Sequence, residues 1–251
     1  MEQKNLTVNL DSWNKWDKEG GYSRWIYHMY EKHIGKNVLD IGGGIGTAIS
    51  FYVERAERVV ATELFENQID IMNERFKLYP YFKAVKFDVM KDELSELGTF
   101  DTIVCINVLE HMEDDMKALA NMKKLLVQNG KIIICVPAVS RLYCYMDRNV
   151  GHYRRYTKGE LHKKAEEARL KVIEDKYMNF MGIFPYWMKG KFGKDTGGSF
   201  STGIAQNESK LYSAAARILE PLERLIKPPV GISEIAVFQM KVNDIVKIKE
   251  E

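Results

Sequence analysis

The chain has 251 residues, 45% hydrophobic and 29% charged, so it can bury a sizeable core as one large or two small α/β units. Its formal net charge at pH 7 is only +2, which gives no reason to expect a nucleic-acid partner. No apolar run approaches the roughly 20 residues of a membrane span, and residues 1–21 lack the apolar segment of a signal peptide. We therefore expect a cytoplasmic protein.

Apolar strands alternate with amphipathic helices along the first two thirds of the chain. The predicted order is strand 37–41, helix 45–56, strand 58–63, helix 66–78, strand 84–87, strand 100–106, helix 112–128 and strand 130–138. This alternation is typical of a mainly parallel sheet with helices on both faces. The loops after the strands of such a sheet gather at its carboxyl edge, where ligands bind.

The last third continues the pattern less regularly. It contains a predicted helix 158–168, strand 170–178, helix 208–227 and strand 234–242. The sequence thus predicts a Rossmann-like, doubly wound, mainly parallel seven-stranded sheet in a single domain. We divide this domain into an N-terminal helical cap (1–34), a core (35–178), an insertion (179–232) and a last strand (233–243).

A run of glycines follows the first strand in VLDIGGGIG. Glycine at this position allows a tight turn and lets a ligand approach the backbone closely. A dinucleotide site would have G-x-G-x-x-G followed by an acid about 20 residues later. Glu63 supplies the acid, but Thr47 or Ile49 stands where the third glycine should be. The chain instead has D-x-G-x-G-x-G, formed by Asp40, Gly42, Gly44 and Gly46.

This pattern resembles the class I S-adenosylmethionine-dependent methyltransferases, and the resemblance covers roughly residues 20–178. It implies S-adenosylmethionine as cofactor and S-adenosylhomocysteine as product, with the glycine turn around the methionine and ribose. It also implies that Glu63 binds the ribose hydroxyls, since a carboxylate can accept from both. Asp88 would contact the adenine amino group with Val89 beside the ring, and Asn107 would end the fourth strand at the cofactor.

The N-terminal segment would then form a helix or lid over the cofactor. In this family Tyr22 and Arg24 would reach the methionine carboxylate, whereas a packed amphipathic helix is the alternative interpretation. The cofactor-binding candidates are Asp40, Gly42, Gly43, Gly44, Gly46, Glu63, Leu64, Asp88, Val89, Asn107, Tyr22 and Arg24. Taken singly, the glycines could be only a tight turn, Glu63 a solvated strand end and Asp88 a helix cap.

The segment DRNVGHYRRYT, residues 147–157, follows the fifth strand and should lie over the acceptor pocket. Its pattern resembles a subgroup of these methyltransferases associated with bacterial surface-polysaccharide and natural-product pathways. His152 is our first candidate for a general base, and His111 after the fourth strand is the second. His111 could instead be a helix-entry residue that shapes the pocket. Tyr153 and Tyr156 are expected to wall the pocket.

Two interpretations remain for the arginines of this segment. Arg154 and Arg155 could bind a phosphate or carboxylate of the acceptor, because guanidinium groups match those anions. Alternatively, Arg155 pairs with Asp147 or Glu160 and holds the loop closed. Thr157 is predicted to cap the following helix in a capping box with Glu160. The candidate catalytic residues are therefore His152, His111, Arg154, Arg155 and Tyr153, and no metal site is assigned.

The expected function is methyl transfer to a small-molecule, glycan or lipid-linked acceptor, most simply on oxygen, with C- or N-methylation as the alternative. An RNA methyltransferase is disfavoured, because residues 107–110 read N-V-L-E instead of N/D-P-P-Y/F and no RNA-binding module is appended. A nicotinamide-dependent enzyme and a non-catalytic cofactor-binding protein are further alternatives. The sequence indicates no oligomeric state.

The insertion begins with NFMGIFPYWMKGKFGK, residues 179–194, which mixes aromatic residues with lysines. Such a segment could contact a membrane surface peripherally. A lid over a greasy or glycosylated acceptor is the alternative that we favour.

Overall fold

The computed structural model describes residues 21–195, 219–223 and 225–240. The sheet in these residues has seven strands in the order β3-β2-β1-β4-β5-β7-β6, and β7 runs antiparallel to both of its neighbours. The strands are β1 (Asn37–Ile41), β2 (Arg58–Glu63), β3 (Phe82–Lys86), β4 (Phe100–Ile106), β5 (Leu126–Pro137), β6 (Leu170–Met178) and β7 (Ser233–Met240). The predicted fold class, a mainly parallel seven-stranded Rossmann-like sheet, is confirmed.

Helices connect and cover the strands. They are α1 (Gly21–Tyr30), α2 (Glu66–Arg75), α3 (Asp115–Lys124), α4 (Tyr145–Asn149), α5 (Lys158–Glu167) and α6 (Ile183–Phe192). Residues 219–223 and 225–226 are also helical, within the predicted helix 208–227. The first 20 residues of the predicted cap and residues 196–218 of the insertion lie outside the described residues.

Successive side chains of each strand point to opposite faces of the sheet. Helices cover both faces, so the side chains on each face are buried. Leu39 and Ile41 of β1 join one hydrophobic cluster, together with residues of α3 and α5. Val38 joins the other cluster, which α1 and α2 cover. The layers therefore follow the helix–sheet–helix order of a doubly wound fold.

The predicted helix 45–56 is replaced by two short 3₁₀ turns, Ile49–Phe51 and Val53–Arg55. Tyr52 lies between them with φ −128° and ψ −9°, which breaks the helical path. Its side chain is fully buried, and its hydroxyl donates a hydrogen bond of 2.5 Å to Asp40 Oδ2. This contact holds the segment against the end of β1.

The predicted helix 112–128 is too long. α3 ends at Lys124, and the next residues already belong to the sheet, because Leu126 pairs with Phe100. The β4–β5 register then shifts before Thr102 pairs with Lys131. The Asn129-Gly130 pair therefore lies in an irregular part of β5, where Asn129 has φ +61°, and does not end a helix.

Among the described residues, no helix is both long enough and apolar enough to cross a membrane.

Candidate active site

The glycine turn joins the carboxyl end of β1 to the first 3₁₀ turn. Gly42 has φ +70°, and a Cβ atom there would come within 2.5 Å of Val108 Cγ2, so both its conformation and its surroundings require glycine. Gly44 has φ +59°, but the nearest atom to its Cβ position, Gln68 Oε1, is 4.0 Å away. The turn is thus packed against the protein at Gly42 and open at Gly44, as a turn that admits a ligand must be.

Glu63 ends β2 beside this turn. Its Oε2 accepts a hydrogen bond of 3.0 Å from the Gly44 amide, and its Oε1 accepts one of 2.7 Å from the Leu64 amide. Each carboxylate oxygen retains a second lone pair, so both can also accept from ligand hydroxyls. Leu64 and Phe65 follow Glu63 and are 51% and 54% exposed, which leaves two apolar side chains free beside the acid.

Asp40 lies at the same edge but is only 4% exposed. Burial raises the pKa of Asp40 to about 7; the hydrogen bond from the Tyr52 hydroxyl opposes this shift, and the charge of Glu63 adds to it. Asp40 Oδ1 lies 3.4 Å from the position of a Cβ on Gly43. Asp40 therefore supports the turn from within the protein.

The other cofactor candidates lie after β3 and β4. Asp88 Oδ1 accepts from the Met90 amide at 2.9 Å, and its Oδ2 pairs with Lys91 at 3.0 Å, while Val89 is buried. Asn107 has φ +54°, and its amide donates to the Cys135 carbonyl at 2.8 Å. Since β3, β2, β1 and β4 are consecutive in the sheet, these residues follow neighbouring strand ends.

The two N-terminal candidates lie on α1. The Tyr22 hydroxyl is 3.0 Å from Ser233 Oγ, at the start of β7, and Arg24 is exposed. These contacts attach α1 to the antiparallel part of the sheet.

The two candidate bases, His111 and His152, lie next to each other in the loops after β4 and β5. The His111 and His152 ring centroids are 4.7 Å apart with an interplanar angle of 78°. The Tyr153 amide donates to the Glu110 carbonyl at 2.8 Å, which joins the loop after β4 to the loop after β5. Burial, followed by the nearby His152, lowers the pKa of His111 below the usual histidine range. His111 is therefore neutral at pH 7 and able to accept a proton.

Asp147 organises the loop after β5. It is buried and accepts hydrogen bonds from Arg155 Nε at 2.8 Å, His152 Nδ1 at 3.1 Å, the Tyr186 hydroxyl at 3.0 Å and the Cys144 amide at 2.9 Å. Burial alone would raise the pKa of Asp147, but the hydrogen bond from His152 and the charge of Arg155 bring it below the usual value. Asp147 is therefore an ionised anchor.

Arg154 and Arg155, two of the three arginines in this segment, have partners within the protein. Arg155 is buried against Asp147 and donates to the Ala138 carbonyl at 3.1 Å, which is the second of the two interpretations given above. Arg154 pairs with Asp115 at 2.9 Å and donates to the Glu113 carbonyl at 2.6 Å. The segment is thus held by one ion pair within it, Arg155–Asp147, and by one with α3, Arg154–Asp115.

The remaining residues of the segment divide between core and surface. Tyr156 is buried, and its hydroxyl donates to Asp115 at 2.9 Å, so it belongs to the core and not to a pocket wall. Tyr153 is 53% exposed. Thr157 and Glu160 form the predicted capping box of α5.

Three features of this region were not predicted from the sequence. They are the complete burial of Glu110, the four partners of Asp147 and the contact of Tyr52 with Asp40. The one available signal was the position of Glu110 between Leu109 and His111 directly after a buried strand.

Known proteins resemble the chain in sequence. Residues 39–132, from β1 into β5, match the family model described as "Methyltransferase domain". Ubiquinone biosynthesis O-methyltransferase of Thiobacillus denitrificans is 25% identical over 156 residues, covering 56% of this chain and 66% of the relative. Ribosomal RNA small subunit methyltransferase A of Dehalococcoides mccartyi is 35% identical over 60 residues, covering 24% and 21%. The chain thus spans less than two thirds of both relatives.

Solved structures share the fold at low sequence identity. The N-methyltransferase NodS of Bradyrhizobium japonicum, solved with S-adenosylhomocysteine, has a TM-score of 0.56 and 14% identity, covering 89% of this chain and 87% of its own. An S-adenosylmethionine-dependent methyltransferase of Clostridium acetobutylicum has a TM-score of 0.56 and 9% identity, covering 91% and 97%. The [4+2]-cyclase SpnF has a TM-score of 0.58 and 16% identity, covering 88% and 82%. Residues 39–132 thus match a methyltransferase domain in sequence, and the chain has the fold of these solved structures.

Proposed function

We propose that the protein transfers the methyl group of S-adenosylmethionine to an oxygen of a small-molecule, glycan or lipid-linked acceptor. The observation that carries this proposal is the arrangement at the carboxyl edge of the sheet. The glycine turn and Glu63 lie after β1 and β2, and the His111–His152 pair lies after β4 and β5. A site with a cofactor half and a proton-accepting half suits methyl transfer to a hydroxyl group.

In the cofactor half, the open turn at Gly44 would hold the methionine and ribose, and Glu63 would accept from the ribose hydroxyls. The exposed side chains of Leu64 and Phe65 supply apolar surface beside the adenine, with Asp88 at its amino group. The bound group supplies an electrophilic methyl on a sulfonium. The protein orients it and excludes water.

In the acceptor half, the histidines hold the proton that an acceptor hydroxyl loses. His152 is oriented through Nδ1 by Asp147, which leaves its Nε2 directed to the side of Glu110, 3.8 Å from Oε1. Methyl transfer by displacement needs the acceptor oxygen in line with the methyl and the sulfur, so a fixed ring is an advantage. Arg154, Arg155 and Tyr153 have supporting roles in the loop that carries His152.

The named relatives favour oxygen as the methylated atom. Two of those with longer matches are ubiquinone biosynthesis O-methyltransferases, the second from Dechloromonas aromatica with 24% identity over 179 residues. The N-methyltransferase NodS shares the fold, so nitrogen is the second candidate. The ribosomal RNA relative matches over only 60 residues, and together with the charge of +2 this gives little support for an RNA acceptor.

We place the reaction in the cytoplasm, with peripheral contact to a membrane as part of the proposal for a lipid-linked acceptor. α6 exposes Phe184, Trp187 and Phe192, and Lys191 lies 5.1 Å from the Trp187 ring centroid. Aromatic residues beside lysines are suited to a membrane interface and equally to a lid over an apolar acceptor.

Thermal unfolding with and without S-adenosylhomocysteine tests the cofactor half. A ligand at 100 times its dissociation constant stabilises by about 2.7 kcal/mol, which corresponds to a Tm rise of roughly 5–10 °C for a chain of this size. NAD is the control and should give no shift. A rise with NAD and none with S-adenosylhomocysteine would overturn the proposal.

Two further measurements separate the halves of the site. Glu63→Ala should weaken S-adenosylhomocysteine binding at least about tenfold by calorimetry, because each lost hydrogen bond to a charged group costs about 1.5–3 kcal/mol. Glu66→Ala, which removes an exposed ion pair with Lys86, is the matched control.

For the acceptor, methyl-labelled cofactor is offered to phenols, catechols, amines and ribosomal RNA. Labelling of amines or RNA alone would exclude O-methylation.

A further inference from the structure

We infer that Glu110, His111 and His152 form a binding site for a divalent transition-metal ion. Each side chain offers one ligand atom, and these three atoms all lie within 4.8 Å of one another. The three residues come from two loops, after β4 and after β5, that the Tyr153–Glu110 backbone hydrogen bond joins. This binding does not depend on the proposed function, and it would give the two histidines the role of metal ligands in place of proton acceptors.

Glu110 is the first argument for a cation here. Glu110 is 0% exposed, and neither of its carboxylate oxygens has a hydrogen-bond partner among the residues that the structure describes. An uncompensated buried carboxylate costs several kcal/mol, so such groups in proteins are paired or bind metals. The burial of both oxygens without a partner in the described part of the chain therefore points to a cation that this carboxylate would bind.

The nearby positive charge of Arg155 does not compensate the Glu110 carboxylate. Its guanidinium donates from Nε to Asp147 at 2.8 Å and from Nη1 to the Ala138 carbonyl at 3.1 Å. The charge of Asp147 compensates that of Arg155. In the described part of the chain, Glu110 therefore has His152, 3.8 Å from its Oε1, as a charge partner only when that histidine is protonated.

The hydrogen bond between Asp147 and His152 also favours a metal site. Asp147 accepts from His152 Nδ1 at 3.1 Å, so the opposite nitrogen, Nε2, faces Glu110 Oε1 at 3.8 Å with its lone pair available. A carboxylate that binds the far nitrogen of a histidine fixes its tautomer and ring orientation and raises its basicity as a ligand. Metal-binding histidines in proteins usually have such a partner.

His111 completes the set. Its ring packs edge-to-face against His152 with centroids 4.7 Å apart. One of its ring nitrogens lies within 4.8 Å of the ligand atoms of Glu110 and His152, so a single ion could contact all three side chains.

Two imidazoles and one carboxylate match divalent ions of the first transition row, such as Zn²⁺, Mn²⁺, Fe²⁺ or Co²⁺. Ligand bonds of about 2.0–2.2 Å place tetrahedral ligand atoms roughly 3.4 Å apart, so the cluster would contract on binding. Three protein ligands would leave at least one coordination position for another group. An acceptor hydroxyl bound there would lose its proton to solvent water more readily, and His152 would then act as a ligand and not as the general base.

The test uses the full chain after removal of metals with EDTA, titrated with Zn²⁺ by calorimetry and with Co²⁺ by visible absorption. We expect one equivalent to bind with a d–d spectrum of nitrogen ligation. Glu110→Gln, His111→Ala and His152→Ala should each weaken binding at least about tenfold. His162→Ala is the matched control, since His162 pairs with Asp175 at 2.8 Å outside the cluster, and it should bind like the wild type.

Two results would overturn the inference. One is the absence of stoichiometric binding of either ion. The other is equal affinity in the wild type and in His111→Ala and His152→Ala, which would place the ion elsewhere. S-adenosylhomocysteine binding is measured on the same samples to show that each variant is folded. That measurement also separates the two proposals, because the cofactor can bind when the metal does not.

Discussion

Asp40 and Glu63 are two carboxylates that end adjacent strands and have different environments. Asp40 is buried and accepts from the Tyr52 hydroxyl, whereas Glu63 is partly exposed and accepts from two backbone amides. Glu63 combines an orientation fixed by two backbone amides with partial exposure beside Gly44, where the Cβ position is open. Glu63 is therefore the acid that we propose binds the ligand, and Asp40 supports the turn from within the protein.

Asp40→Asn should change how stability depends on pH. The folded-state pKa is raised to about 7, so the folded protein keeps a proton that the unfolded chain releases near pH 4. The free energy of unfolding contributed by this group is therefore greatest below pH 4 and falls as the pH rises towards 7. Above pH 7 this contribution to the free energy of unfolding is lost. It is on the order of 4 kcal/mol, at about 1.4 kcal/mol per pKa unit.

The measurement is urea unfolding of the wild type and Asp40→Asn between pH 4 and 8, without ligand. The variant should show a flatter profile, because asparagine does not titrate. Asp70→Asn, at an exposed position on α2, is the control and should leave the profile unchanged. Parallel profiles for the wild type and Asp40→Asn would mean that Asp40 is ionised throughout this range.

At the scale of elements, the loop between α4 and α5 is held by a buried ion pair. Arg155→Met should destabilise the protein by about 3–5 kcal/mol, because it leaves the charge of Asp147 buried without its main partner. Lys163→Ala, which removes an exposed pair with Glu167, should cost less than about 0.5 kcal/mol. Chemical unfolding measures both, and a small effect of Arg155→Met would show that His152 and Tyr186 suffice to stabilise Asp147.

The strands were well predicted because continuous apolar runs such as Val38 to Ile41 suit a strand buried on both faces. In segment 45–56 the spacing of the apolar residues did not predict the backbone conformation. Its apolar residues, including Ile49 and Tyr52, are buried as a helical spacing requires, yet the backbone forms 3₁₀ turns. The spacing gives the buried face, but the contact between Tyr52 and Asp40 determines the backbone path, and that contact is not readable from spacing.

At the scale of the whole molecule, the sequence could place both halves of the site at one edge. It could do so because the glycine turn, Glu63 and the two histidine loops each follow a predicted strand. It could not show that Glu110 is fully buried or that His152 turns towards it. Those facts depend on how two loops from different strands pack, and on Asp147, whose role as an anchor comes from four separate contacts.

Removal of the last strand should prevent folding. β7 lies between β5 and β6, and its side chains include the buried Ile235, Val237, Phe238 and Met240. Burying each contributes roughly 1.5–3 kcal/mol, and the total is comparable with the stability of a typical domain. A chain ending at residue 232 should show no cooperative melting and no S-adenosylhomocysteine binding, whereas one ending at residue 243 should show both. Cooperative melting of the shorter chain would contradict this expectation.

The position of β7 also has a consequence for the protein during its synthesis. The strand is made after the other six described strands but lies inside the sheet, and in the described sheet β6 pairs with β7 alone. Translation proceeds at roughly 5–20 residues per second, so β5 and β6 wait several seconds on the ribosome with unpaired edges. Open edges of this kind can join edges of other nascent chains. Expression in the cell should therefore depend on chaperones that shield the chain until Met240 has emerged.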